Sequence, residues 1–154
     1  MAVFTYRRAG AAVATDTATV TTLSFLAATT RAIRFIEISA SGLGTATAAN
    51  EFQVAPGNAG TGALTSIPSF PINPLSTAAS GFTSGTTYAT AIPTVNAQAG
   101  IAFGVNANGG TYRWLAKTNF ELFASQATAG YQSLNWKTIS GSGTIAGHVI
   151  VEEL

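Results

Sequence analysis

Charge is what this chain has least of. Of its 154 residues only 8% are Asp, Glu, Lys or Arg, against about 25% in an ordinary globular domain. Seven basic and six acidic residues leave a formal net charge of +1, which is no electrostatic footprint for a nucleic acid or an anionic membrane. Cysteine is absent, so a disulfide framework and a thiolate metal site are both excluded. His148 is the only histidine and Asp16 the only aspartate. A zinc site would have to draw its ligands from His148 and the glutamates. Glu152 and Glu153 are adjacent, so in a strand they face opposite ways and make no pair. No D-x-D-x-D loop offers a calcium site. Mean hydropathy is +0.31, yet no apolar run is long enough for a membrane-spanning helix. The opening MAVFTYRRAG lacks the basic-then-apolar order of a secretory leader. No metal, cofactor, nucleic acid or membrane is expected.

A chain so poor in charge needs another way to stay soluble. A free monomer spreads charge over its surface. Here Thr, Ser, Asn, Gln and Gly must do that, which suits a surface partly covered by copies of itself or by a scaffold. A neutral secreted domain has the same composition. No charged residue occurs between Glu51 and Arg113, which favours the covered surface.

What is present is strand after strand. Gly100 to Phe123 is the clearest stretch. Ile101, Phe103 and Val105 alternate with small residues, Asn106-Ala107-Asn108-Gly109-Gly110 supplies turn residues, and Thr111 to Leu115 returns. Asn-Gly between two such runs is a strong hairpin signal. Arg113 lies between Tyr112 and Trp114 and so faces away from both rings. After a polar turn at Lys117-Thr118-Asn119, Phe120 to Phe123 reads as the next strand. Tyr112, Trp114, Phe120 and Leu122 are candidate core residues.

In chain order, residues 1–12 read as an N-terminal arm ending in Arg7-Arg8 and small residues. Residues 13–154 read as one β domain. The Thr- and Val-rich stretch 13–26 is strand territory, with Val20, Leu23 and Phe25 as buried points. Ile33 to Ile38 is a central strand. Simple alternation puts Ile33, Phe35 and Glu37 on one face and Arg34, Ile36 and Ile38 on the other. Both faces are then largely apolar, as between two layers or at a subunit contact. Glu51 to Val54 is a short strand.

From about 56 to 98 the chain is rich in Pro, Gly, Ser and Thr, without helical periodicity. Thr77-Ala78-Ala79 has room for one turn. Leu64, Ile67, Phe70, Ile72, Leu75, Phe82 and Tyr88 anchor the segment, so it reads as one long ordered excursion and not as disorder. Tyr131 to Trp136 and Thr144 to Glu152 are the last strands. Short strands separated by turn signals make the fold all-β, a sandwich or barrel. Its core is expected at Phe35, Ile38, Phe103, Trp114, Leu122 and Val149.

Chemistry finds little to work with. A Ser/His/Asp triad is arithmetically open through Asp16 and His148, but no G-x-S-x-G elbow exists. His148 in an apolar strand reads as a structural histidine. Gly141 to Gly147 lacks the lysine and the helix of a phosphate loop. Trp136, Tyr131 and Tyr88 are candidates for a sugar-stacking platform. Trp114 reads as core, while Trp136, beside Lys137, is open between core and surface. The chain does not read as an enzyme.

The order of several short motifs resembles a known family. They are the strand Arg31 to Gly42 (RAIRFIEISASG), then Pro71-Ile72-Asn73-Pro74-Leu75 followed by small residues. Next come Thr111-Tyr112-Arg113-Trp114-Leu115-Ala116 and a terminal Gly147 to Glu153 (GHVIVEE). From about Arg31 onward this resembles the small structural virion proteins of tailed bacteriophages. The resemblance implies a jelly-roll-like antiparallel β-sandwich. It also implies a capsid decoration, or cement, role on the outer surface of a phage head, after synthesis in the host cytoplasm. Such proteins are commonly trimers, so the implied partners are copies of the chain and the major capsid protein. A head-fibre or tail component is the alternative within the same family, and a carbohydrate-binding β-sandwich is the alternative outside it. No catalytic residue is carried over. Interface candidates are Phe4, Tyr6, Arg7 and Arg8 on the arm, Phe70, Phe82 and Tyr88 on the excursion, and Arg113 on the return strand.

Overall fold

The computed structural model describes residues 2–13, 17–18, 20–68, 70–72, 81–117 and 121–154, with the backbone alone for 2–13 and Ala97. The expectations placed on Asp16, Thr118, Asn119, Phe120, Leu75 and the Thr77-Ala78-Ala79 turn lie outside these residues. Twelve strands are described: β1 (Ala2–Val13), β2 (Val20–Leu26), β3 (Ile33–Gly42), β4 (Ala49–Gly57), β5 (Leu64–Ser66), β6 (Phe70–Pro71), β7 (Thr83–Tyr88), β8 (Ile101–Asn106), β9 (Thr111–Leu115), β10 (Leu122–Ala124), β11 (Ser133–Ser140) and β12 (Gly143–Glu153). The one helical element among them is a 3-10 turn at Ala97–Ala99, capped by the Asn96 side chain. No helix among the described residues is long and apolar enough to cross a membrane.

The strands form two six-stranded antiparallel sheets. The front sheet runs β10-β3-β12-β1-β6, with β9 also pairing to β3. The back sheet runs β5-β7-β2-β11-β4-β8. Leu23, Phe25, Phe52, Val54, Phe103, Leu134 and Trp136 from the back sheet meet Ile33, Phe35, Ile38, Leu122, Val149 and Val151 from the front in one core. Two ring contacts cross it. Phe25 meets Phe35 edge-on at 5.1 Å, and Phe103 stacks on Tyr112 at 3.9 Å. The expected core residues are there, with Trp114 half-buried at the margin. Val20 differs, being 42% exposed at the start of β2.

The central strand corrects its expected alternation. Ile33, Phe35, Ile38 and Ala40 are all buried, although an unbroken strand would put Phe35 and Ile38 on opposite faces. The partner strand shows why. Ile150 stands opposite Glu37, but the next residue, Val151, stands opposite Phe35. Ile36 is therefore the extra residue of a β-bulge, which resets the phase. The apolar residues on either side of it then share the core, and Arg34 and Glu37 are left on the outer face. The Ile36 carbonyl is not idle, since it accepts from Ala116 N at 2.8 Å just past the end of β9.

The stretch 1–12, read as an arm, falls from Ala2 onward in β1, which pairs with β12 from Ala2↔Glu153 to Val13↔Gly143. The excursion between β4 and β8 is also built into the sheets. It adds β6 beside β1 in the front sheet, and β7 and β5 beside β2 in the back sheet. Both additions fall at the same edge of the sandwich. Part of the excursion also folds over the outer face of the back sheet. There Ser24, Ala55, Ser133 and Asn135 are buried although they point away from the core.

A polar network holds that cover in place. Ser24 Oγ bonds the Tyr88 hydroxyl and donates to Asn135 Oδ1, each at 2.7 Å. Asn135 Nδ2 donates to Ser133 Oγ at 2.8 Å. Ser133 Oγ in turn donates to the Asn58 carbonyl. Asn58 Oδ1 accepts from the backbone N–H of Gly60 and Thr94, both at 3.0 Å. Buried polar groups are tolerated when they are satisfied in this way.

Candidate assembly surfaces

The bulge in β3 arranges the outer face of the front sheet. Arg113 on β9 stands next to that strand and grips Glu37 with two hydrogen bonds, Nε to Oε1 at 2.9 Å and Nη2 to Oε2 at 3.0 Å. These bonds hold the Glu37 carboxyl below its ordinary pKa, and the positive charge of Arg113 and the nearby His148 add to the effect against some desolvation. Arg34 donates from Nε to Glu152, and its Nη1 lies 3.4 Å from Glu121. Arg31 reaches the buried Glu153 at 2.9 Å. Among the described residues, Arg31, Arg34 and Arg113 thus each meet an anion of the same chain.

Large apolar side chains stand beside these pairs. Leu115 is 49% exposed and Phe123 is 42% exposed. Alternation carried the signal for both. Leu115 has the parity of the outward Arg113, and Phe123 the opposite parity to the buried Leu122. At the other edge of the front sheet, next to β1, Phe70 is 63% and Ile72 47% exposed. Leu43 protrudes at the end of the sandwich that carries the β3–β4, β8–β9 and β11–β12 turns.

The interface candidates separate accordingly. Phe70 is open to solvent, and Arg113 is exposed while bound to Glu37. Phe82 and Tyr88 are corrected, because both are buried in the chain's own interior. The Phe82 ring lies 5.9 Å from Phe25, and Tyr88 is sealed by its bond to Ser24 and by burial, which raises its pKa. Phe4, Tyr6, Arg7 and Arg8 occupy β1 opposite Val151, Val149, His148 and Gly147, and their side chains lie outside the described residues.

The other candidate sites do not assemble. Trp136 is buried, with its ring centroid 5.7 Å from both Phe52 and Phe103, and Tyr88 is buried on the far side of the back sheet. Tyr131 is half-buried, its hydroxyl taking a hydrogen bond from Asn96 at 2.7 Å. Two of the three rings proposed to stack on a sugar are therefore enclosed. His148 is half-buried on β12, opposite Ser39. Among the described residues no group of His, Cys, Asp and Glu is placed to hold a metal ion. No protein-family model, no curated protein and no solved structure matches this chain.

Proposed function

We propose that this chain is a structural virion protein of a tailed bacteriophage. Its role is to decorate the capsid, as a homo-oligomer bound to the major capsid protein on the outside of the head. A trimer is the expected form. One observation carries the reading. Phe70 and Ile72, exposed by 63% and 47% beside β1, lie within the stretch from Glu51 to Arg113 that has no charge. Exposed apolar groups gathered in uncharged surroundings mark contact surfaces, and interface cores are depleted of charge. The outer face of the front sheet supports the same reading. Arg34, opposite Phe123, and Arg113, bound to Glu37 opposite Leu115, are already paired within the chain, so covering Leu115 and Phe123 leaves neither of these cations unpaired.

The fold is read as a jelly roll. In favour of this, β1, β12, β3 and β9 are neighbours in one sheet and β2, β11, β4 and β8 in the other. That is the nested order of an eight-stranded roll of two Greek keys. The strands β5, β6 and β7 are then an insertion between its fourth and fifth strands, widening both sheets at one edge.

The test is the solution mass of the purified protein, followed by co-sedimentation with assembled heads that lack it. The expected results are a mass of several subunits and binding to heads but not to free capsid subunits. Phe70→Ser with Ile72→Ser should weaken one or both without altering the circular dichroism. A lone subunit at every concentration, with no affinity for heads, would refute the proposal.

A further inference from the structure

We propose that Asn108 is a self-modification site, where the side-chain amide is lost through a cyclic imide closed by the backbone of Gly109. The chemistry needs an asparagine whose carboxamide is free, followed by a residue whose backbone nitrogen is accessible. Asn108 is the one asparagine in the sequence followed by glycine. It is exposed at the tip of the β8–β9 hairpin. A Cβ placed on Gly109 would meet nothing within 4 Å, so no neighbour crowds the tip at that residue. Gly109 has φ +77°, a conformation glycine adopts without steric cost.

The atoms balance with water as the only co-reactant. The Gly109 nitrogen attacks Asn108 Cγ and gives its proton to solvent base. A new C–N bond forms, the bond to the side-chain amide nitrogen breaks, and ammonia leaves. Water then opens the imide at either carbonyl. One opening leaves aspartate at 108. The other routes the backbone through the side chain and lengthens the hairpin tip by a methylene group. Either product adds a negative charge to the uncharged stretch and takes the formal net charge from +1 to neutral.

The flanks of the turn are fixed and its tip is not. Ala107 is buried and tied by its N–H to the Ala48 carbonyl at 2.8 Å, while its own carbonyl accepts from Gly44 N at 2.7 Å. Across the tip itself run the bond from Gly110 N to the Asn106 carbonyl at 3.0 Å and that from Asn108 N to Asn106 Oδ1 at 2.9 Å. Rotation of the Asn108 peptide into the attacking geometry disturbs these two bonds and leaves the Ala107 anchor intact. The folded rate should therefore stay within about a hundredfold of that of the unstructured segment, at roughly tenfold for each bond.

The full-length folded protein is incubated in mildly alkaline buffer beside a synthetic peptide spanning 103–113. Both are digested in acid and read by mass spectrometry with fragmentation that distinguishes the two acid isomers. The expected result is amide-to-acid conversion confined to Asn108, with the rerouted isomer present. It should be accompanied by an acidic shift on isoelectric focusing that Asn108→Gln abolishes. The proposal fails if Asn108 stays intact in the folded protein long after that hundredfold allowance. It fails equally if the acidic shift persists in Asn108→Gln.

Discussion

Replacing Gly42 by alanine tests how tightly the sandwich closes at its turn-bearing end. Gly42 ends β3 where the β8–β9 turn crosses it. An added Cβ would overlap the Asn106 carbonyl oxygen and sit 2.5 Å from that of Ala107. Both obstacles are backbone, so no side chain can swing away. Relief requires the turn to retreat by roughly 1 Å to reach ordinary contact. That retreat stretches Gly42 N to Gly110 O at 2.8 Å, Gly44 N to Ala107 O at 2.7 Å and Ala107 N to Ala48 O at 2.8 Å. Overpacking a closed site costs about 1–3 kcal/mol, and weakening such bonds adds to it, so about 2–3 kcal/mol is expected. For a chain of this size that lowers Tm by about 4–12 °C. Gly104→Ala is the control. Its added Cβ meets the Asn50 carbonyl oxygen at 3.6 Å, which is ordinary contact. It should leave stability unchanged or raise it by up to about 1 kcal/mol through the unfolded chain. Urea unfolding of the two variants against the parent gives the answer. If Gly42→Ala costs no more than Gly104→Ala, the close crossing of the two sheets at this end is wrong.

Phe25→Ala, which empties the junction of Phe25, Phe35 and Phe82, should cost about 3–5 kcal/mol by urea unfolding, and a loss below 1 kcal/mol would contradict the packing. Glu37 should titrate below the ordinary glutamate range by carboxyl NMR, and Arg113→Gln should move its midpoint upward. Because the folded pKa is the lower one, the stability Glu37 contributes is full above the unfolded value and is lost as pH falls through the folded one; an unmoved midpoint would remove Arg113 as the cause. Tyr88→Phe should cost about 1 kcal/mol and speed hydrogen exchange at Gly60 and Thr94, whereas unchanged exchange would mean the polar network does not hold the cover. Tyr88 should also ionise above the usual tyrosine range in a spectrophotometric titration, its stabilising share present below the unfolded pKa and lost as pH climbs through the raised one.

The hairpin was legible in the sequence because its signals are local. Alternation from Ile101 to Val105 and turn chemistry at Asn106 to Gly110 need no distant partner. The bulge at Ile36 was not legible. It is defined by which residues of β12 lie opposite, a relation of residues more than a hundred positions apart. Reading through it with a fixed period turned one apolar face into two. The excursion was recognised as ordered from its anchors, but which anchors go inside is a tertiary matter. Phe82 and Phe70 look alike in sequence, yet one meets Phe25 and the other meets solvent. Trp136, open between two fates, is settled by Phe52 and Phe103 on neighbouring strands. Leu115 and Phe123 were within reach of alternation, had the outward parity of Arg113 been carried two residues further and the inward parity of Leu122 one residue further.

The cover that residues 58–62 and 88–96 lay over the back sheet has a consequence for geometry. That broad side is finished in part by the molecule itself, with polar groups already spent inward. A neighbour stacking sheet on sheet therefore finds its larger landing on the opposite side. A tile with one such side pairs or closes into a small ring more readily than it layers without end.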